Sequence, residues 1–166
     1  LDACVVPEGA KVSMCNIDSS KLSSKITVIE EEPKKKVKSL EDAEVIVVAG
    51  RGVKKEEDLP LIKELADVLG AQFAGTRPLI EAGWVSPMKQ IGLSGRTVKP
   101  KLIVTCGVSG SIQFRAGMQN SDTIVAINTD ESANIFNVAH YGIVGDLYKV
   151  VPQLIEKIKN FQAERC

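Results

Sequence analysis

The sequence predicts an α/β fold in which a parallel sheet is connected by crossover helices. From Glu44 onward, short apolar runs of strand length alternate with stretches whose apolar residues recur at helical spacing. One run, Leu102–Cys106, is nearly continuous in β-branched and apolar residues, as in strands that are buried on both faces. Two runs lead at once into glycine-containing loops, at Gly50 and Gly107. Together these features indicate repeated strand-to-helix units.

The first unit starts with the strand Val45–Ala49, which is followed by a helix. Asp58 is the candidate N-cap of this helix, Pro60 falls in its first turn, and Gly70 marks its end. The apolar residues of its buried face recur at helical spacing: Leu59, Ile62, Ala66 and Leu69.

The later elements repeat the pattern with shorter helices and a long loop. A strand at Gln72–Gly75 precedes a short helix at Pro78–Ala82 and a loop-rich connection at Trp84–Pro100. The strand Leu102–Cys106 then leads into a helical stretch that ends near Met118, and Thr123–Asn128 forms the next strand.

A closing amphipathic helix is expected to cover the sheet. Pro152 must lie in its first turn or mark a break between two helical pieces. Its apolar face is formed by Leu147, Val150, Val151, Leu154, Ile155, Ile158 and Phe161.

Residues 1–40 differ from the rest and are predicted to be the remnant of a preceding domain followed by a charged linker, with the folded domain at residues 41–166. Lys11–Ile17 and Lys25–Glu31 resemble two short strands, which cannot bury a core by themselves. The four lysines that follow Pro33 could form a basic recognition patch, but Glu30, Glu31 and Glu32 precede them, so a solvated linker is favoured.

Composition narrows the function classes. The 166 residues include 21 Lys and Arg and 21 Asp and Glu, so the formal net charge is zero and gives no electrostatic reason to expect nucleic acid or a membrane surface. No apolar run reaches about 18 residues, and residues 1–9 lack a secretory signal pattern. We therefore expect a soluble intracellular protein that binds small ligands and protein partners.

The four cysteines do not predict a metal site or a disulfide framework. They are scattered, without a CxxC pair, and His140 is the single histidine that could join them. Cys106 lies in a buried strand, where a reduced core thiol is expected, and this agrees with a reducing compartment.

Two loops after predicted strands offer places for a phosphate group. The first is Gly50-Arg51-Gly52, where small residues let the backbone approach a ligand and Arg51 can neutralise an anion. The second, Gly107–Gln113, adds the hydroxyl groups of Ser109 and Ser111 to the N–H groups of a helix start. Neither loop satisfies the GxGxxG or GxxxxGK[ST] pattern. Because the carboxyl ends of parallel strands lie on one edge of the sheet, the two loops are expected to share one crevice.

Seven separated motifs make the prediction specific. In order and spacing they resemble those of electron transfer flavoprotein alpha subunits, over about Glu44 to Ile158. The motifs are Gly50-Arg51-Gly52, Gly75-Thr76-Arg77, Gln90–Gly95, Gly107–Gln113, Ala116-Gly117-Met118, Ala126-Ile127-Asn128 and Tyr141–Leu147. The resemblance implies the carboxy-terminal FAD-binding domain of that family: a doubly wound, mostly parallel, Rossmann-like sheet with helices on both faces.

The resemblance also implies roles for the matching residues. Arg51 and Thr76 would contact the pyrophosphate, and Arg77 would lie near the isoalloxazine ring, where a cation stabilises negative charge. The flavin would be lined by Gln90, Ile91, Gly92, Leu93 and Ser94, with Ser94 offering a hydroxyl to the ring edge. The helix start would supply donors through Ser109, Gly110, Ser111, Ile112 and Gln113. The adenosine half would be held by Asn128, Asp146 and Leu147.

The chain departs from the family pattern at some of these positions. Phe114 stands where many members have a histidine near the flavin, and phenylalanine cannot donate a hydrogen bond. Thr76 and Ser94 replace a common serine and a common threonine. His140 stands where acidic residues are frequent, and we interpret it as structural. Trp84 and Phe73 are interpreted as core residues, and Asp130-Glu131 as a solvated turn.

The family resemblance implies an electron carrier rather than an enzyme. The residues agree with this expectation, because no nucleophile paired with a base is recognisable in the sequence. The implied partners are a beta subunit, in a heterodimer, and flavin-dependent dehydrogenases such as those acting on acyl-CoA. The expected location is the bacterial cytoplasm, or the mitochondrial matrix in a eukaryote. Trp84 and Phe114 resemble anaerobic bacterial members, which suggests a parent complex that performs electron bifurcation.

Two alternatives stay open at this point. The first is an oxidoreductase domain that binds NAD(P) or a related nucleotide on a similar fold. The second is an interaction module that has lost its ligand, for which added FAD would not change stability.

Overall fold

The computed structural model describes residues 39–164, which belong to one compact unit of the chain. The predicted strands Lys11–Ile17 and Lys25–Glu31, and nearly all of the predicted linker, lie outside the described residues. The described part starts with a short 3-10 turn at Leu40–Asp42, and the side chain of Leu40 is buried. None of the described helices is long and apolar enough to cross a membrane.

Five parallel strands form one sheet in the order β2-β1-β3-β4-β5. Four of them have the predicted bounds: β1 at Val45–Ala49, β2 at Gln72–Gly75, β3 at Leu102–Cys106 and β4 at Thr123–Asn128. The fifth, β5 at Tyr141–Val144, is an edge strand whose four residues are all exposed. This arrangement confirms the predicted α/β fold with a doubly wound parallel sheet.

Four helices connect and cover the strands. Helix α1 spans Leu59–Val68, α2 Arg77–Glu81, α3 Ile112–Ala116 and α4 Leu147–Glu164. Pro152 lies inside α4, at its sixth residue, so the helix passes through a proline that we had expected in the first turn or at a break. Pro152 is exposed, and its missing N–H removes a single helical hydrogen bond.

Asp58 occupies the N-cap position of α1, as predicted, but it does not cap the helix with its side chain. Asp58 precedes α1, but its carboxylate makes no hydrogen bond to the helix. A 3-10 turn at Glu56–Asp58 runs directly into the helix and gives Asp58 a helical backbone conformation, whereas a typical N-cap residue is extended.

Each face of the sheet has its own hydrophobic core. On the first face, Val47 and Ala49 of β1 belong to the cluster that contains the buried residues of α1 and α4. On the second face, Ile46 and Val48 pack in a cluster with Phe114 of α3 and with residues outside the α-helices and strands, which include Ile91, Val98 and Ile135. Helices thus lie on both faces, as predicted, although a five-residue helix and loops cover the second face.

Strands β1 and β3 are neighbours in the sheet. Strand β2 lies beside β1 on one side, and β4 and β5 follow β3 on the other, so the direction in which strands are added reverses between β1 and β3. Ala49, Gly75 and Cys106, the last residues of β1, β2 and β3, lie level with one another in the sheet register. The carboxyl edge beside this reversal of strand order is where open α/β sheets bind ligands.

Candidate cofactor-binding site at the carboxyl edge of the sheet

The two glycine loops meet directly at this edge. The N–H of Gly50 donates to the carbonyl of Cys106 at 2.9 Å, and the N–H of Gly52 donates to the carbonyl of Gly107 at 2.8 Å. A Cβ on Gly52 would lie 2.7 Å from the Cα of Gly107, so no larger residue fits there without movement. The shared crevice predicted for the two loops is therefore built by backbone contact.

A cavity of about 380 Å³, the larger cavity, opens beside the loops. It is lined by predicted residues from four separate segments: Arg51, Thr76, Arg77, Gln90, Ile91, Gly92, Leu93, Ser94, Ser109, Gly110, Ser111, Gln113 and Phe114. Pro78, Glu81 and Val108 also line it and were not predicted.

A second cavity of about 230 Å³, the smaller cavity, contains the predicted residues Asn128, Asp146 and Leu147. Arg51 lines both cavities and therefore lies where they adjoin. Ile112 alone among the predicted site residues, all of which are described, lines neither cavity, and its side chain is 71% exposed.

The larger cavity contains several groups that lack hydrogen-bond partners in the described part of the chain. The hydroxyl oxygen of Thr76 is buried and has no partner there, although the backbone N–H of Thr76 donates to Ala49 at 3.0 Å. The N–H groups of Ser109, Gly110 and Ser111 likewise bond to no described residue. The cost of an unpaired buried group applies to the Thr76 hydroxyl, while free N–H groups at a helix start attract anions. Together these groups fit a ligand with anionic oxygens, such as a pyrophosphate.

Two arginines give the larger cavity its positive charge. Arg51 makes no ion pair with any residue between Ser39 and Glu164, whereas Arg77 Nε contacts Glu81 Oε1 at 2.8 Å. The Arg77 and Glu81 side chains are both largely exposed, so their ion pair is weak. Arg51 is thus the cation that remains fully available to a ligand.

Ser94 is oriented by a neighbour. Gln90 Nε2 donates to Ser94 Oγ at 2.8 Å, and the Gln90 side chain is buried while Ser94 is exposed. Because this bond occupies an acceptor site of the hydroxyl, the proton of Ser94 is left to donate into the larger cavity. The geometry therefore suits the hydroxyl donor predicted for Ser94.

In the smaller cavity, Asn128 is largely engaged by the protein itself. Asn128 Nδ2 donates to the carbonyl of Val108 at 2.8 Å, and its Oδ1 accepts from the N–H of Asp130 at 3.0 Å. Asn128 therefore fixes the loop after β3 to the end of β4.

Asp146 caps α4 with one of its two carboxylate oxygens. The N–H of Tyr148 donates to Asp146 Oδ1 at 3.0 Å. The other oxygen is left for a ligand, and a carboxylate at such a crevice is suited to accept from ribose hydroxyl groups.

Tyr148 and Lys54 also line the smaller cavity and were missed by the sequence analysis. Tyr148 Oη accepts from the N–H of Lys54 at 2.9 Å and donates to Asp58 Oδ2 at 2.6 Å. Tyr148 directly follows the motif Tyr141–Leu147, so its position beside Asp146 and Leu147 was a usable signal. Its link to Asp58, 90 residues earlier in the chain, had no local signal.

Several residues that were interpreted as structural have structural contacts. His140 Nδ1 accepts from the N–H of Ile124 at 2.9 Å, and His140 lines neither cavity. Phe73 and Trp84 pack in the core of the first face.

Asp130 lies in an exposed turn, where hydrogen bonds from Ser132 lower the pKa of its carboxyl. Burial raises the pKa of Cys106 to about 12, so it is a neutral core thiol.

Phe114 lines the larger cavity and is also part of the second core, with only 5% of its surface exposed. Its ring cannot donate a hydrogen bond. That wall of the larger cavity is therefore apolar.

Comparison with known proteins identifies the family. The model of the electron transfer flavoprotein FAD-binding domain matches residues 39–119. The lactate dehydrogenase (NAD(+),ferredoxin) subunit LctC of Acetobacterium woodii is 56% identical over 148 residues, covering 89% of this chain and 35% of that protein. The electron transfer flavoprotein subunit alpha of Thermoanaerobacterium thermosaccharolyticum is 50% identical over 147 residues, covering 89% of this chain and 44% of the relative.

A third relative is the acryloyl-CoA reductase electron transfer subunit beta of Anaerotignum propionicum, which is 45% identical over 147 residues, covering 87% of this chain and 40% of the relative. The chain spans less than half the length of these three curated relatives. The family match falls on the part of the chain that forms β1 to α3 and the larger cavity. The chain therefore belongs to the electron transfer flavoprotein alpha family and contains that family's FAD-binding domain.

Proposed function

We propose that this chain holds FAD in the two adjoining cavities and that it serves as the flavin-carrying part of an electron carrier between protein partners. The observation that carries the proposal is the convergence of separated sequence motifs on the carboxyl edge of the sheet, with Arg51 where the cavities adjoin. FAD would supply a ring that accepts and releases electrons, and the chain would bind and orient it.

The larger cavity is proposed to hold the pyrophosphate and flavin portions. Arg51, the hydroxyl of Thr76 and the free N–H groups of Ser109 to Ser111 would bind the pyrophosphate oxygens. Ile91 to Ser94 would line the ring, with the Ser94 proton directed to its edge by Gln90. Because Phe114 offers no donor, Arg77 and Ser94 would carry the stabilisation of negative charge on the ring.

The smaller cavity is proposed to hold the adenosine half. Leu147 gives it an apolar wall, and the free oxygen of Asp146 is placed to accept from a sugar hydroxyl. Asn128 would act mainly by fixing the loop after β3, since its amide already bonds to Val108 and Asp130.

The electron-carrier proposal extends to partners and setting. The relatives named above include electron transfer subunits and a subunit of a dehydrogenase that uses NAD(+) and ferredoxin. We therefore propose a beta-type partner subunit in a heterodimer, a dehydrogenase that exchanges electrons with the flavin, and a location in the bacterial cytoplasm. A bifurcating parent complex is the finer form of this proposal, supported by the likeness to the Acetobacterium woodii subunit.

The first experiment is a visible absorption spectrum of the purified chain, followed by denaturation and chromatographic identification of any released chromophore. We expect flavin bands and released FAD. A colourless chain that takes up NAD(P) but not FAD would contradict the proposal and support a nucleotide-binding oxidoreductase domain, whose phosphates the same free N–H groups could bind.

A matched pair of variants tests the role of Arg51. R51Q removes the cation that lines both cavities, whereas K55Q removes a charge from an exposed residue of the same loop that lines neither. We expect R51Q to raise the Kd for FAD about tenfold to a hundredfold, since a hydrogen bond to a charged group contributes about 1.5–3 kcal/mol. K55Q should leave the Kd unchanged, and equal effects of the two variants would argue against a direct contact.

A further inference from the structure

Tyr148 joins two segments that both line the smaller cavity, the chain after β1 and the start of α4. Its Oη accepts from the N–H of Lys54 at 2.9 Å and donates to Asp58 Oδ2 at 2.6 Å, so it bonds both ends of the segment Lys54–Asp58. Tyr148 itself is the second residue of α4. One phenol thus links the chain after β1 to the start of the last helix.

The same residue also fixes the carboxylate proposed to face the ligand. The backbone N–H of Tyr148 donates to Asp146 Oδ1 at 3.0 Å. The loop that contains Arg51, which also lines this cavity, is held by the bond from the N–H of Gly52 to the carbonyl of Gly107. Tyr148 is therefore bonded to both lining segments, to Lys54 in one and to Asp146 in the other.

The phenol is occupied by the protein rather than free for a ligand. Its single proton goes to Asp58, and Lys54 Nζ lies 5.8 Å from the centre of its ring. Burial and the bond to Asp58 raise the pKa of Tyr148, while the bond from Lys54 lowers it. A phenol bonded in this way acts on a ligand through the segments that it positions.

We propose that Tyr148 is a positioning residue for the cofactor: it ties the Lys54–Asp58 segment to α4 and thereby holds the Arg51 loop at its distance from Asp146. The inference rests on the proposed binding of FAD. It assigns a role to Tyr148, Lys54 and Asp58 that the motifs of the sequence do not contain.

The competing explanation is that Tyr148 merely clamps α1 to α4, and the chain offers a control for it. Lys159 Nζ contacts Glu64 Oε1 at 2.7 Å, which also joins these two helices. Neither Lys159 nor Glu64 lines a cavity. E64Q therefore weakens a link between the same helices without touching the walls of the site.

The test measures the Kd for FAD by flavin fluorescence and the free energy of unfolding of the FAD-free chain by urea denaturation, for the wild type, Y148F and E64Q. We expect Y148F to raise the Kd about fivefold to tenfold, because it removes the hydroxyl that bonds to both Lys54 and Asp58, and E64Q to leave it unchanged. Equal shifts in Kd for Y148F and E64Q, or no shift for Y148F, would overturn the inference.

A double variant, Y148F combined with R51Q, tests whether Tyr148 affects FAD affinity through Arg51. If Tyr148 acts by positioning Arg51, Y148F should cost less affinity in an R51Q background than in the wild type, because the two residues then share one interaction. Fully additive losses would overturn this role. If the wild-type chain fails to bind FAD, the proposed function fails and this inference with it, whereas a wild type that binds and a Y148F variant that matches it refute the inference alone.

Discussion

Thr76 lies directly before α2, where its backbone is fixed by a hydrogen bond to Ala49. Its side chain is only 7% exposed, and its hydroxyl oxygen has no partner among the described residues. An unpaired buried hydroxyl costs the folded chain free energy, which a ligand oxygen at the larger cavity would recover. Stability without ligand and affinity for ligand should therefore respond in opposite directions to a change at this residue.

Replacing Thr76 with valine tests this opposition. T76V keeps the shape of the side chain and removes the unpaired hydroxyl, so we expect the FAD-free chain to gain about 1 kcal/mol in free energy of unfolding. The Kd for FAD should rise about tenfold because the ligand loses a hydrogen bond. Urea denaturation and fluorescence titration measure the two quantities.

T76S is the control for the Thr76 prediction, since it keeps the hydroxyl. It should retain FAD affinity close to that of the wild type. A T76V chain that loses stability while keeping its affinity would show that the hydroxyl bonds within the protein rather than to the cofactor.

At the scale of single residues, the sequence predicted which side chains gather at the site better than what each one does there. Arg51 and Ser94 line the larger cavity, whereas Asn128 bonds mainly to the protein and Ile112 is exposed. The reason is that a motif reports position along the chain, whereas hydrogen bonds depend on contacts between distant segments. Tyr148 and Asp58 show this most clearly, being 90 residues apart.

At the scale of elements, the turn between β3 and α3 is the most constrained part of the site. Gly107 has a φ of +66°, and a Cβ there would lie 2.7 Å from the Cα of Gly52 and 2.9 Å from a methyl carbon of Leu147. Gly70, which follows α1, has a similar φ of +62° but open space around the corresponding Cβ position. Substitution at Gly70 would therefore cause backbone strain alone, whereas substitution at Gly107 would cause both backbone strain and steric clashes.

We predict that G107A destabilises the chain considerably more than G70A. Both alanines pay about 1–2 kcal/mol for the left-handed conformation, but only G107A also forces apart the two loops, which adds about 1–3 kcal/mol. Urea denaturation of both variants gives the comparison, and FAD titration should show weaker binding for G107A alone. Equal destabilisation would mean that the contact between the loops relaxes freely.

Strands with buried residues have apolar runs in the sequence and were predicted, whereas a strand with exposed residues lacks such a run. Strands β1 to β4 have buried residues and were predicted with their observed bounds, whereas β5 is exposed throughout and was recognised only as part of a motif. The predicted position of Pro152 in α4 was wrong. An exposed proline can stay within a long helix when the buried residues Leu147, Val151 and Ile155 pack that helix against the sheet.

At the scale of the whole molecule, the parallel sheet determines where the site lies. The strand order β2-β1-β3-β4-β5 sends the chain to either side of β1 and β3, and both cavities lie at their carboxyl ends.

The predicted domain boundary near residue 40 leads to a last experiment. The buried and partly buried residues of the two hydrophobic cores and the lining of both cavities, as far as the structure describes them, lie between Leu40 and Ile158. A variant that begins at Ser39 should therefore unfold in one cooperative transition and bind FAD with the affinity of the full chain. Urea denaturation and FAD titration compare the two proteins. If the shortened chain fails to fold, or folds but loses FAD, residues before Ser39 belong to the folded domain and the predicted boundary is wrong.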